Sequence, residues 1–266
     1  MRLVPALALI FAALLLVPRV LASSEQVYKD YLYQYDQYRS KYNDFKVAKN
    51  EYDKFKTLTS ETEALAKTKV MLEQRDILLK TYLLYLSEKL IENRGLSDAD
   101  RSLFQTLIRN ENTFLTTHSD LVASIGSIDD AEGASRQLES HYRILSISIR
   151  QIINGISLGD LAVLAGRFDK TFADVTVFFN SNRSAISVAK QGVADRWIDS
   201  ITNKRSLYQQ KVNDISRRNF QMKGASLQEI DRFHGLLRND INSAKTYLTE
   251  ATANLTELLN SMRYVY

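Results

Sequence analysis

Beyond residue 22 the apolar residues return alternately three and four positions apart, the spacing that lines one face of an α-helix. From Ser24 to about Lys56 the stripe is aromatic: Tyr28, Tyr31, Tyr35, Tyr38, Tyr42 and Phe45, then Lys49 and Tyr52. Such a helix would be about 50 Å long at 1.5 Å per residue. A break is expected near Leu58-Thr59, where Ser60 and Glu63 have the spacing of a capping box. The second helix, about Glu61 to Asn93, carries apolar clusters one heptad apart: Val70-Met71-Leu72, Ile77-Leu78-Leu79 and Leu84-Tyr85-Leu86, then Ile91. That face is too wide for a two-stranded seam, so the pattern predicts a bundle in which this helix touches several neighbours.

Gly95 is placed to end the second helix, and Ser97 with Asp98 and Asp100 to start the third. The third stripe is Phe104, Ile108, Glu111, Leu115, His118, Val122 and Ile125. Gly126 closes it, and a fourth begins near Asp129 with Leu138, Tyr142, Leu145, Ile149, Ile152 and Ile156. The short connection predicts an antiparallel hairpin. Gly155, Gly159 and Gly166 loosen the next stretch before Leu161, Ala165, Phe168, Phe172, Val175 and Phe179 resume the period. A break is expected at Asn180-Ser181-Asn182 and a helix from there to about Met222. The last segment is the most regular, running from Leu227 through Ile230, His234, Leu237, Ile241, Ala244, Leu248, Ala251, Leu255 and Leu258 to Met262 and Val265. The expected fold is therefore all-α, an elongated antiparallel helical bundle of coiled-coil hairpins. It has six to seven helices, as hairpins 24–94, 98–157 and 160–222 and a C-terminal helix 226–264. Both prolines, Pro5 and Pro18, precede it.

The first 22 residues follow a different rule. Arg2 is followed by an apolar run from Leu3 to Val17, and Val20-Leu21-Ala22 gives small or apolar residues at a cleavage position. This reads as a secretory signal peptide cut after Ala22, which predicts a secreted or periplasmic protein; an uncleaved membrane anchor is the alternative. Its removal takes Arg2 and Arg19 from the 35 basic residues, leaving 33 against 31 acidic ones and a formal charge of +2. So even a balance lacks the concentrated basic footprint of a nucleic-acid binder. With no cysteine there is no disulfide and no thiolate ligand, so stability rests on packing.

Candidate chemistry is sparse. The only histidines are His118, His141 and His234. No HExxH or ExxH ligand motif accompanies them, and Glu111 is expected to meet the region of Arg143 across the hairpin in a salt bridge. Gly155-Ile156-Ser157-Leu158-Gly159 has GxSxG spacing, but it follows no strand, and no glycine-rich phosphate loop occurs. Asp98 with Asp100, and Asp129 with Asp130, fall at predicted helix starts, where the helix dipole favours negative charge. Neither catalysis nor a cofactor or metal is expected. Asn182 and Asn254 head glycosylation sequons.

Two features point to partners. The stripe of Tyr28, Tyr31, Tyr35, Tyr38 and Tyr42 suits a half-wet contact, because tyrosine combines an apolar body with a hydroxyl that needs a polar partner. It is a candidate partner surface when it is not an internal seam. The stretch from Ile152 to Gly166 is apolar and glycine-spaced with Asp160 as its only charge. It is a candidate membrane hairpin carried by Ile152, Ile153, Ile156, Leu158, Leu161, Val163 and Leu164, or else a buried approach point between helices. In overall plan, a leader followed by long helices and one apolar hairpin is similar to secreted α-helical pore-forming toxins, a resemblance of architecture without a shared motif. The expected function is an exported, non-enzymatic helical bundle with a scaffolding, adaptor or binding role, acting on another protein or by self-association through helical seams. A membrane-active protein is the alternative.

Overall fold

The computed structural model describes residues 23–262; the predicted leader lies outside the described residues, as does Val265. Six α-helices and no strand occur among the described residues: α1 Ser24–Phe55, α2 Leu58–Glu92, α3 Asp98–Ser124, α4 Ile128–Ser181, α5 Val188–Phe220 and α6 Leu227–Met262. A short 3-10 turn, Arg183–Ala185, joins α4 to α5. The all-α bundle expected from the periodicity is what forms.

The helices begin where short polar side chains satisfy free backbone donors. The Ser97 hydroxyl accepts from the Asp100 N–H and the Ser127 hydroxyl from the Asp130 N–H, both at 3.1 Å. The turn between α1 and α2 differs from expectation. Lys56 adopts a left-handed conformation, φ 51°, which reverses the chain at once. The box that follows is Thr57 with Ser60 rather than Ser60 with Glu63: the Ser60 N–H donates to Thr57 Oγ1 at 3.2 Å and the Thr57 N–H to Ser60 Oγ at 3.1 Å. At the end of α2 the Arg101 guanidinium reaches back to the carbonyls of Leu90, Ile91 and Asn93, a cation on the negative end of the helix.

The larger correction concerns the middle of the chain. The expected helices 129–157 and 160–180 are one helix of 54 residues, about 80 Å long, and no hairpin forms at 152–166. No proline interrupts the stretch, and a helical glycine costs only about 1 kcal/mol, which packing offsets here. A Cβ on Gly155 would come within 2.2 Å of the Phe104 ring, and one on Gly159 within 2.2 Å of the Asn93 side-chain oxygen. These glycines let α3 and the α2–α3 loop press against α4.

Helix α4 is therefore shared by two bundles. Its first half packs with α2 and α3 around Leu83, Leu90, Phe104, Leu115, Leu145 and Ile152, and α1 covers one side of α2. Its second half packs with α5 and α6 around Phe168, Ile201, Ile215, Ile230 and Leu237. The long hairpins are thus α1–α2 and α5–α6; the expected pairing of 160–180 with the following helix as a hairpin gives way to α5 against α6. Amides make the joint: Gln151 and Asn219 exchange side-chain-to-carbonyl bonds, and Asn154 donates to the Asn219 amide oxygen, all at 2.9 Å.

Candidate functional site

The tyrosine stripe of α1 packs against α2. The Tyr31 ring sits 5.0 Å from Tyr82 and the Tyr28 ring 5.3 Å from Tyr85, with Tyr28–Tyr31, Tyr31–Tyr35 and Tyr38–Tyr42 continuing along α1 at 6.1, 6.4 and 5.9 Å. Tyr31 and Tyr38 are half-buried, and burial pushes both hydroxyls above their usual pKa; at Tyr38 the Arg75 guanidinium opposes the rise. Tyr28, Tyr35 and Tyr42 form the wet edge. An open groove of about 570 Å³ follows this seam, lined by Tyr38, Arg75, Leu78, Leu138, Glu139 and Tyr142.

The candidate membrane residues are mostly packed. Ile152 and Leu161 are buried, Ile153, Ile156, Leu158 and Val163 half-buried, and only Leu164 is exposed. Asp160 receives the Asn93 amide at 2.9 Å, and the same amide group donates to the Ile156 carbonyl. The apolar stretch thus serves as the approach point between helices.

Two ionisable residues on the inner face of α3, His118 and Glu111, are brought to partners on neighbouring helices. His118 is fully enclosed, with Nδ1 2.7 Å from Asp76 Oδ2 of α2 and Nε2 2.9 Å from the Ala134 carbonyl of α4. Ser119 Oγ lies 3.2 Å from the same carboxylate oxygen and accepts from the Lys80 ammonium. One heptad earlier, Glu111 meets His141 at 2.7 Å and accepts from the Ser148 hydroxyl at 2.7 Å, so its partner is His141 and not the expected Arg143. The His141 ring stacks on Phe114 at 3.5 Å. The Ser148 proton points at Glu111 and the Ser119 hydroxyl bonds the Leu115 carbonyl at 2.8 Å more closely than Asp76, so neither serine donates to an imidazole. A nucleophile–base relay needs the imidazole on the hydroxyl. Among the described residues no three of His, Cys, Asp and Glu converge as metal ligands.

The sequons are engaged as well: Asn182 Nδ2 donates to the Phe178 carbonyl and Asn254 Nδ2 to Ser200 Oγ.

One surface escaped sequence reasoning. Val70, Ile77, Leu84 and Ile91 follow one another at heptad spacing on the outer edge of α2, each between 40 and 48% exposed. Their cluster neighbours Met71, Leu72, Leu78, Leu86 and Leu90 are buried. The signal was present: three consecutive apolar residues span about 200° of a helix, so even a helix touching three others keeps an apolar outer edge. The row is about 32 Å long. Comparisons with protein-family models, curated proteins and solved structures gave no match.

Proposed function

We propose that the chain is an exported, non-enzymatic helical scaffold or adaptor, released from its leader after Ala22 into a secreted or periplasmic location, that binds another protein or a second copy through a helical face. The carrying observation is the Val70, Ile77, Leu84, Ile91 row: four branched apolar side chains at heptad spacing are what a partner helix meets as knobs into holes. Row and tyrosine seam lie on the same α1–α2 hairpin. The enclosure of the His118–Asp76 pair supports the non-enzymatic reading, since a substrate cannot reach it.

The test is light scattering and affinity capture with the mature chain beside an Ile77→Glu/Leu84→Glu variant. These changes sit on the surface and should leave the helical circular dichroism intact. Concentration-dependent dimerisation, or a saturable partner, that the variant loses supports the reading. A chain that stays monomeric and whose every partner is retained by the variant sinks it.

The membrane-active alternative draws on one observation, that α4 is long enough and in one stretch apolar enough to cross a membrane by length and composition. It requires α4 to leave both bundles, and dye release from lipid vesicles by the mature chain, lost on Leu164→Asp, is the result that would favour it.

A further inference from the structure

His118 is held from two helices at once, and its geometry sets a rule about protons. Both nitrogens face acceptors, a carboxylate oxygen of α2 and a backbone carbonyl of α4. A neutral imidazole has a single N–H, which one of those contacts would use. The other contact therefore needs a second proton, shared between Nδ1 and Asp76 Oδ2. That proton belongs to the hydrogen bond between them, whichever atom is drawn as carrying it. Without that proton a bare ring nitrogen faces an acceptor, either the Asp76 carboxylate at 2.7 Å or the Ala134 carbonyl at 2.9 Å, in a site sealed from water.

We propose that this shared proton is a conformational latch: with it α3 is locked to α2 and α4, and its loss as pH rises loosens the first bundle while the second keeps its packing. Asp76 Oδ1 is buried without a partner, so beyond the Ser119 hydroxyl 3.2 Å from Oδ2 no further hydrogen bond holds the carboxylate when the proton is lost. The other ionisable groups at this layer are Arg75 and Lys80 of α2, with Glu139 of α4 and Tyr38 of α1 acting on Arg75. Burial pulls the pKa of His118 down, but the Asp76 and Ala134 hydrogen bonds and the Asp76 charge outweigh it, and the net direction is up from 6.5. A raised folded-state pKa fixes the sign. The latch contributes fully below about pH 6.5 and is lost as pH climbs through the higher folded value. The second bundle has no such pair: the buried residues of α6 are all apolar.

The absence of cysteine makes the test clean. Ala131→Cys reports opening of the first bundle and Ala251→Cys of the second, both alanines being buried. Thiol labelling is followed from pH 6.5 to 9, with rates normalised to the same chain in urea. Protection in the Ala131→Cys chain should fall by up to about tenfold per pH unit, the limit for one proton, between about pH 6.5 and the raised folded-state pKa, and level off above it. Protection in the Ala251→Cys chain should stay flat. Asp76→Asn should abolish the fall, because an amide can donate to the bare Nδ1. Should that variant fail to fold, Asp76→Leu/His118→Leu, which has no proton to share, serves in its place and should also be flat. Parallel pH curves at the two reporters, or a fall that survives in the substituted pair, would overturn the proposal.

Discussion

The two bundles hang on the same helix but are specified by different forces. Among the described residues, every buried polar or charged side chain lies at or before Asn154 except Asn219, which belongs to the joint. The first bundle thus places Asp76, Glu111 and His118 inside its core, while in the second α6 presents Ile230, Leu237, Ala244, Leu248, Ala251, Leu255 and Leu258 in unbroken succession. Apolar heptads alone tolerate a slide of one helix past another, because one branched side chain fits the next hole nearly as well. A buried carboxylate facing an imidazole fits in one register only, since misalignment leaves a charge unpaired. The half bearing the exposed apolar row of α2 is therefore also the half whose register is pinned by ions.

The comparison breaks most sharply at His118. His118→Ala leaves the enclosed Asp76 carboxylate without its cation, and breaking a buried pair typically costs about 3–5 kcal/mol. Urea unfolding followed by circular dichroism should show a loss of that size. Replacing both partners by leucine should recover most of it, because no charge is then stranded. If the single and double variants were equally unstable, the pair would matter for shape alone and the distinction between the halves would fail.

A smaller effect sharpens the account of the joint. Gly155→Ala puts a methyl group against the Phe104 ring and should destabilise by about 1–3 kcal/mol, the range for overpacking. Gly166→Ala, eleven positions further along the same helix, meets no atom within 4 Å. It should stabilise by about 0.5–1 kcal/mol through helix propensity alone. Thermal melts of the two variants should therefore move in opposite directions. A loss in both would mean that α4 needs flexibility at Gly166.

These residues also show how far the sequence could be read. The helices and their inward stripes followed from three-four spacing, because burial on one side of a helix imposes that period directly. The continuity of α4 did not, since a glycine that breaks a helix and one that admits a neighbouring ring look alike until the neighbour, here Phe104 or Asn93, is in place. The start of α2 was misplaced by three residues because a positive φ at Lys56 has no sequence signature; glycine or asparagine would have announced it. The pairing of Glu111 with His141 instead of Arg143 turned on helix rotation, which spacing leaves free. Of the candidate partner surfaces, the tyrosine stripe was visible as a pattern. The outer row of α2 was hidden inside clusters whose other members are core.

The smallest effect concerns the one histidine of the second bundle. His234 lies on the α6 stripe between Ile230 and Leu237, half-buried, with its Nδ1 enclosed and unpartnered. Burial, with Arg150 and Arg238 nearby, lowers its pKa, the reverse of His118. A depressed histidine pKa means that the charged form is disfavoured in the fold, so this contribution is present above about pH 6.5 and declines as pH falls below it. Acidification from pH 7 to 5 should therefore weaken the second bundle slightly while leaving the latch of the first closed. His234→Leu removes both the unpaired nitrogen and the titration. It should stabilise by up to about 1 kcal/mol at neutral pH, with the gain growing toward pH 5. Urea unfolding at the two pH values checks both parts. A variant less stable than the native chain, or a gain that does not change with pH, would mean that the second bundle, like the first, relies on a polar side chain in its seam.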